Sequence, residues 1–175
     1  DVFDQAAMAA MDMRDAVVVD TVALVANNAR DNDETAALSR LKEQYDNLLS
    51  SLKAGGTGLF VFFSSGGTVY GEIGHPAEET DPLSPQTLYA RSKVLEEEMI
   101  RASGIPYLIL RLSNPFGGYQ IAEKKQGVIP ILIRKALLGE VFQMWVDGSS
   151  IRDYIYITDV AEAFRLLIRN DVSNE

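Results

Sequence analysis

Hydrophobic residues along this chain follow two patterns, short continuous runs and longer segments with helical spacing. The continuous runs predict buried strands at 16–19 with an extension to 26, and at 59–63, 107–112, 141–146 and 151–157. Apolar positions three or four residues apart predict helices at 34–52, 85–102, 128–138 and 159–170. Because strands and helices alternate, the pattern predicts an α/β fold with a parallel sheet flanked by helices.

Capping signals and polar positions refine these elements. Ser84 before Pro85 predicts the start of the second helix, and the spacing of Asp159 and Glu162 predicts a capping box on the last one. The acidic run 96–98 is predicted to face solvent. Since ligands of parallel sheets bind at the carboxyl ends of the strands, the candidate binding loops are 64–71, the turn-rich segment 113–118 and the loop after Val19.

Composition narrows the function classes. With 25 acidic and 16 basic residues the formal charge is -9, which disfavours nucleic-acid binding. The absence of cysteine excludes disulfides and thiol chemistry, and a single histidine, His75, argues against a histidine metal site or a Ser-His-Asp triad. No apolar stretch reaches about 18 residues and no basic leader is present, so we expect no membrane span and a cytoplasmic location.

Tyr89 and Lys93 are the first candidates for chemistry. They are four residues apart on a predicted helix, so their side chains share one face. The ammonium of a lysine near a phenol favours the phenolate and lowers its pKa, which makes tyrosine a usable general acid or base near neutral pH. The alternative is an exposed pair on a helix surface, without chemistry.

Three further motifs accompany this pair in the sequence. The hydroxyl-rich strand end 64–71 precedes it, segment 114–117 (Asn-Pro-Phe-Gly) follows the next strand, and segment 152–155 (Arg-Asp-Tyr-Ile) comes later. Together the four motifs resemble the extended short-chain dehydrogenase/reductases, specifically the NAD-dependent epimerase/dehydratase family typified by UDP-glucose 4-epimerase. The resemblance runs from about Asp15 to Asn170 and implies a Rossmann-like fold that binds NAD.

The resemblance assigns roles to several of these residues. Tyr89 is implied to be the catalytic acid/base, and Lys93 to contact the nicotinamide ribose and lower the pKa of the tyrosine. The family usually has a Ser or Thr hydroxyl where this chain has Gly66, so Ser65 or Thr68 is expected to supply it. Ser64 is expected to contact the cofactor. The alternative role of these hydroxyls is turn formation at the strand end.

Two later residues match positions where the family contacts its nucleotide-sugar substrate. Asn114 resembles the family's substrate-contacting asparagine, and its alternative role is a turn residue bonding its own backbone. Arg152 resembles the arginine that binds the nucleotide diphosphate, because a guanidinium offers a planar fork to phosphate oxygens. Its alternative role is a surface salt bridge.

The family's Gly-x-x-Gly-x-x-Gly turn, which receives the cofactor pyrophosphate, does not occur in this sequence. The residue that selects between NAD and NADP follows that turn in the family and is missing as well. The resemblance implies NAD as the cofactor, with NADP as the alternative. The sequence is therefore expected to be a fragment that binds NAD poorly by itself. Its expected parts are a partial cofactor domain (1–125), part of the substrate region (126–150), and a strand and helix returning to the core (151–175).

Two classes of function follow from the resemblance. The first is an epimerase-type enzyme in which Tyr89 removes a sugar hydroxyl proton as NAD takes the hydride. Dehydratases typically carry Asp-Glu where this chain has Gly67-Thr68, which favours an epimerase or simple reductase over a dehydratase. The second class is an inactive remnant or a binding module. By resemblance, helices 34–52 and 85–102 are expected to form a homodimer contact.

Overall fold

A computed structural model describes residues 4–26, 33–118, 120, 127–144, 147–148 and 151–175. The chain divides into two compact units. The first comprises Asp1–Arg111 and Val172–Glu175, and the second Leu112–Asp171. None of the helices formed by the described residues is both long and apolar enough to cross a membrane.

The first unit contains the predicted alternation of strands and helices. Its elements are α1 (Gln5–Ala9), β1 (Val17–Asp20), α2 (Glu34–Ala54), β2 (Leu59–Ser65), α3 (Leu88–Ser103) and β3 (Tyr107–Leu112). The strands form one sheet in the order β1-β2-β3. β1 and β2 run parallel, with Val17 opposite Leu59 and Asp20 opposite Phe62. The predicted parallel α/β architecture is confirmed.

The core of this unit lies where α2 and α3 contribute their apolar faces to the sheet. Its fully buried side chains include Tyr45 and Leu52 from α2, Phe60 and Phe62 from β2, and Ile100 from α3. The rings of Tyr45 and Phe62 meet edge to face at 6.2 Å. Because β2 is buried along most of its length, its continuous apolar run is the pattern of a central strand.

Two boundaries of the first unit differ from the prediction. β1 ends at Asp20 and does not extend to residue 26, because the Asp20 carboxylate accepts a hydrogen bond from the backbone N–H of Val22 (2.8 Å) and turns the chain. α3 begins at Leu88 and its N-cap is Thr87, whose hydroxyl accepts from the N–H of Ala90 (3.1 Å). The predicted start at Ser84 is therefore wrong. α1 was not predicted.

The second unit contains β4 (Asn114–Phe116), α4 (Val128–Leu138), β5 (Tyr154–Tyr156) and α5 (Ile157–Arg169). β4 and β5 pair in parallel, so segment 113–118 holds a short strand and is not simply a turn. The predicted strand at 151–157 is shorter because α5 begins at Ile157. The helix at 128–138 is confirmed. Residues 141–144 form no strand, and 145–146 lie outside the described residues.

The predicted capping box of α5 is also wrong. The N-cap of this helix is Tyr156, without a side-chain capping hydrogen bond. Glu162 instead accepts two hydrogen bonds from the guanidinium of Arg165, one turn later on the same helix.

Candidate active site

α3 places Tyr89 and Lys93 one helical turn apart. Tyr89 lies in the first turn after the Thr87 cap and is half-buried, whereas Lys93 is only 3% exposed. Residues four apart on a helix lie on the same face. The helix geometry therefore brings a phenol and an ammonium to one face of α3, as the spacing predicts.

The ammonium of Lys93 lies closest to a carboxylate that the sequence interpretation assigned to solvent. Its Nζ is 3.1 Å from Oε2 of Glu96, one turn further along α3, and 4.4 Å from the centre of the Phe62 ring on β2. The contact with Glu96 is an ion pair without hydrogen-bond geometry, because Oε2 has no hydrogen-bond partner among the described residues. Within the described residues, no hydrogen bond joins Lys93 to Tyr89.

The acidic run 96–98 does not face solvent as a whole, which corrects the prediction. Glu96 is 1% exposed and Glu97 is 2% exposed, and Glu98 alone is exposed. Burial raises the pKa of Glu96 to about 7; nearby Asp20 also raises it, while Lys93 opposes the shift. Desolvation of the Glu96 carboxylate therefore outweighs its attraction to the ammonium.

Two more polar groups of the first unit belong to the surroundings of Glu96. Asp20 stands at the end of β1, and its Oδ2 accepts a hydrogen bond from the hydroxyl of Tyr45 on α2 (2.8 Å). Burial, followed by the charges of Asp20 and Glu96, raises the pKa of Tyr45. Elements β1, α2 and α3 thus each contribute one acidic or phenolic group to a polar cluster in which Asp20 is half-buried and Tyr45, Lys93 and Glu96 are buried.

Glu97 belongs to a different buried network. It accepts hydrogen bonds from the Arg111 guanidinium, with Nη2 to Oε2 at 2.7 Å, and from the Ser64 hydroxyl at 2.5 Å. Arg111 also donates to the hydroxyl of Tyr70 (2.9 Å). Its bond to Glu97 raises the pKa of Arg111, so the guanidinium stays charged. This network joins α3 to β3, to the end of β2 and to the turn that follows β2.

The candidate hydroxyls differ in their hydrogen bonds. Ser64 is buried and donates to Glu97, so its hydroxyl already has a protein partner. Thr68 is half-buried and donates to the carbonyl oxygen of Ser65 at 3.5 Å, a long contact. The half-buried Ser65 side chain forms no hydrogen bond within the part of the chain that the structure describes.

The candidate substrate residues lie in the second unit. The side-chain amide of Asn114 donates to the carbonyl oxygen of Asp153 (2.8 Å), and its backbone N–H donates to the same oxygen (3.1 Å). Asn114 thus helps to join β4 to the chain entering β5. Arg152 is exposed, and its guanidinium donates to the carbonyl oxygen of Ile151 (3.0 Å).

Sequence reasoning missed Glu96, Glu97 and Arg111. One signal was available, because consecutive helical residues are about 100° apart and three of them sweep about 200° of the helix surface. An acidic run of three therefore cannot lie entirely in solvent when the buried face of its helix is wider than about 160°. Groups of acidic and histidine residues that could hold a metal are absent from the described part of the chain.

Comparison with known proteins agrees with the topology. A sequence model of the NAD-dependent epimerase/dehydratase family matches residues 1–175. The chain belongs to this family. Proteins of this family that catalyse different reactions are similar to this chain. dTDP-4-dehydro-6-deoxyglucose reductase of Escherichia coli is 39% identical over 132 residues, which are 71% of this chain and 41% of that protein. dTDP-glucose 4,6-dehydratase of Xanthomonas campestris is 36% identical over 106 residues, 57% of this chain and 29% of that protein.

Solved structures of the epimerase/dehydratase family share the fold. UDP-glucose 4-epimerase of Thermus thermophilus, in complex with NAD, superposes with a TM-score of 0.79 at 28% identity and covers 95% of this chain. The chain in turn covers 58% of that structure, so it spans less than two thirds of the length of these relatives.

Proposed function

We propose that this chain carries the acid-base half of a nucleotide-sugar epimerase, an NAD-dependent oxidoreductase/isomerase. The observation that carries the proposal is the placement of Tyr89 and Lys93 on one face of α3 in a chain of the epimerase/dehydratase family. A phenol and an ammonium one turn apart are suited to moving a proton at a sugar hydroxyl near neutral pH.

In the proposed reaction, the Tyr89 phenolate accepts the proton of a sugar hydroxyl as the carbon beside it is oxidised. The positive charge of Lys93 compensates the negative charge of the phenolate before this transfer. Tyr89 then returns the proton once the 4-keto sugar has turned over and been reduced on its other face. The half-buried position of Tyr89 leaves part of its side chain accessible for this exchange.

The donors of this site suit the nicotinamide ribose of NAD. Lys93 has three N–H donors, of which the ion pair with Glu96 engages one side only, so donors remain for ribose hydroxyls. The phenol hydroxyl of Tyr89 forms no hydrogen bond within the described residues, whereas its backbone carbonyl accepts one from Ser92. When bound, NAD supplies the hydride acceptor and donor, and the chain's own residues supply the proton transfer.

Among the candidate hydroxyls, we assign the substrate contact to Ser65. The Ser64 hydroxyl donates to Glu97, whereas the Ser65 hydroxyl forms no hydrogen bond within the described residues. For the substrate itself, we propose that Asn114 contacts the sugar and that Arg152 binds the diphosphate. The guanidinium of Arg152 is exposed and has donors left over after its contact with Ile151.

The choice of reaction rests on the turn after β2. By resemblance to the family, Gly67 and Thr68 correspond to positions where dehydratases typically carry acidic groups for elimination. An epimerase is therefore the first candidate. A reductase is the second, because the Escherichia coli reductase has 39% identity to this chain.

A homodimer through α2 and α3 is part of the proposal. The two helices pack against each other, and the surface between them carries charged groups of both signs, including Lys42, Asp46, Lys53 and Glu98. Reciprocal pairing of these charges between two copies would suit a two-fold contact. Sedimentation equilibrium tests it, and a monomer at about 100 μM would contradict it.

The proposal is tested in the full-length polypeptide that contains this sequence, with NAD and UDP-glucose as probes. We expect Tyr89→Phe to lower kcat by about 10²-fold or more, because it removes the general acid/base. Proton NMR of the sugar product measures the rate. Tyr107→Phe is the matched control, since the Tyr107 hydroxyl is near Arg101 on the surface and should not affect turnover. Equal rates for Tyr89→Phe and the unsubstituted protein would contradict the proposal.

A further inference from the structure

Lys93 is a buried cation, and its burial needs a physical cause. Its side chain is 4% exposed and that of Glu96 is 1% exposed. Moving an ammonium out of water is unfavourable unless a counter-charge and other favourable contacts compensate for the lost hydration. A lysine side chain near a helix surface otherwise extends its charged end into solvent.

The position of Lys93 on α3 offers its ammonium two neighbours on the same face. Tyr89 lies one turn towards the N-terminus and Glu96 lies one turn towards the C-terminus. The ammonium is paired with Glu96, and the face of the Phe62 ring on β2 covers it at 4.4 Å. Among the described residues, Glu96 supplies the carboxyl group in contact with Lys93, and above its pKa of about 7 this group is the anion of the ion pair.

We propose that Glu96 is a positioning residue for Lys93, holding its ammonium buried against β2 and one turn from Tyr89 instead of in solvent. The importance of this role for catalysis rests on the proposed function, in which Lys93 supports Tyr89. The restraint on Lys93 itself does not depend on any cofactor or substrate.

The charged groups around Glu96 shift its pKa in opposite directions, and each shift can be tested by substitution. Lys93 faces it from its own helix, Asp20 from the end of β1 and Tyr45 from α2. Lys93 lowers the pKa of Glu96, while Asp20 raises it. Lys93→Met should therefore raise the titration midpoint of Glu96, and Asp20→Asn should lower it.

The first experiment measures the accessibility of Lys93 by acetylation with acetic anhydride at pH 8, read by peptide mass spectrometry. In Glu96→Gln the ammonium loses its partner, so we expect Lys93 to be labelled at least about tenfold faster. Glu98→Gln, on the same helix but exposed, is the matched control and should leave the rate unchanged. Lys53, whose ammonium donates to the carbonyl of Ser103, is the internal reference for intact folding.

A faster acetylation rate at Lys93 with an unchanged rate at Lys53 supports the proposal. Glu96→Asp keeps the charge, so a Lys93 rate closer to that of the unsubstituted protein in this variant strengthens it. Equal labelling of Lys93 in Glu96→Gln and Glu98→Gln overturns it. If labelling of every lysine rises, Glu96→Gln has unfolded, and the decision passes to carbon-13 NMR titration of Glu96. The proposal is overturned if the titration midpoint of Glu96 is the same in the unsubstituted protein, in Lys93→Arg and in Lys93→Met. A midpoint raised in Lys93→Met alone supports it.

A separate measurement distinguishes this inference from the proposed function. In the full-length polypeptide that contains this sequence, Glu96→Gln should lower kcat about tenfold, with the KM for UDP-glucose little changed, since Glu96 acts through Lys93. If the unsubstituted protein neither binds NAD nor turns over UDP-glucose, the proposed function fails. The labelling contrast at Lys93 still decides the role of Glu96.

Discussion

Two ion pairs with the same helical spacing behave differently in the two units of this protein. Lys93 and Glu96 on α3 are three residues apart, as are Glu162 and Arg165 on α5. The side chains of Lys93 and Glu96 are 4% and 1% exposed, whereas those of Glu162 and Arg165 are 56% and 49% exposed. Burial raises the pKa of Glu96 to about 7, while the hydrogen bond from Arg165 lowers the pKa of Glu162.

The difference shows that the spacing of two charges does not determine their electrostatic effect. On α5 water screens both partners, so the short bond to Arg165 determines the direction of the shift. On α3 the sheet and α2 exclude water, and the loss of hydration exceeds the attraction of the ammonium. Glu96 therefore has a pKa of about 7, and four substitutions test how far burial controls these groups.

The largest effect is expected when the second buried carboxylate of α3 loses its partner. Arg111→Met leaves Glu97, 2% exposed, without its guanidinium. We expect the free energy of unfolding at pH 7 to fall by about 3–5 kcal/mol, the usual cost of an uncompensated buried charge. Urea unfolding measures it. Arg101→Met, on the exposed surface, is the control, and equal losses in the two variants would contradict the buried network.

The next largest effect concerns the pH dependence caused by Glu96. The folded protein keeps the Glu96 proton up to about pH 7, whereas the unfolded chain loses it near the usual value of 4.5. Between these values the folded state binds more protons, so this residue makes stability fall as pH rises. The fall amounts to about 3 kcal/mol.

Glu96→Gln removes the titratable carboxyl group, so this variant should not lose stability from this cause as pH rises. Urea unfolding at pH 5 and pH 8 should therefore show a smaller loss of stability in Glu96→Gln than in the unsubstituted protein. Profiles that run parallel over this range would mean that the folded state does not raise the pKa of Glu96.

A smaller effect is expected from the hydroxyl that bonds Glu97. Ser64→Ala removes a 2.5 Å hydrogen bond to a buried carboxylate and should cost about 1.5–3 kcal/mol. Ser51→Ala, whose hydroxyl donates to the Asn47 carbonyl on an exposed helix face, is the control. Thermal unfolding measures both. A loss of NAD affinity in Ser64→Ala without loss of stability would instead support cofactor contact by Ser64.

The smallest effect is expected on α5. Glu162→Gln breaks an ion pair whose members are both well exposed, so the thermal midpoint should stay the same within error at low salt and at high salt. A midpoint that falls as clearly as in Arg111→Met would remove the contrast between the two helices.

The fold was largely predictable because its signals are local. The apolar run of β2 and the helical spacing of α2 identified both elements, and Gly-containing turns separated them. The errors fell where a side chain decided the boundary. Asp20 turned the chain after β1, and Thr87 rather than Ser84 capped α3. Several polar residues can form such caps, so the choice among them depends on the packing of the whole helix.

The sequence alone determined that Tyr89 and Lys93 share a helix face, because residues four apart do so in any α-helix. Only the tertiary structure decided what surrounds them. Glu97 accepts hydrogen bonds from Arg111 on β3 and Ser64 on β2, which are 14 and 33 positions away in the chain. The sequence predicts that Glu96 faces solvent, but in the folded protein α2 and the sheet cover it. Water exclusion is a property of the packed elements together, and it gives neighbouring glutamates of one helix their different environments.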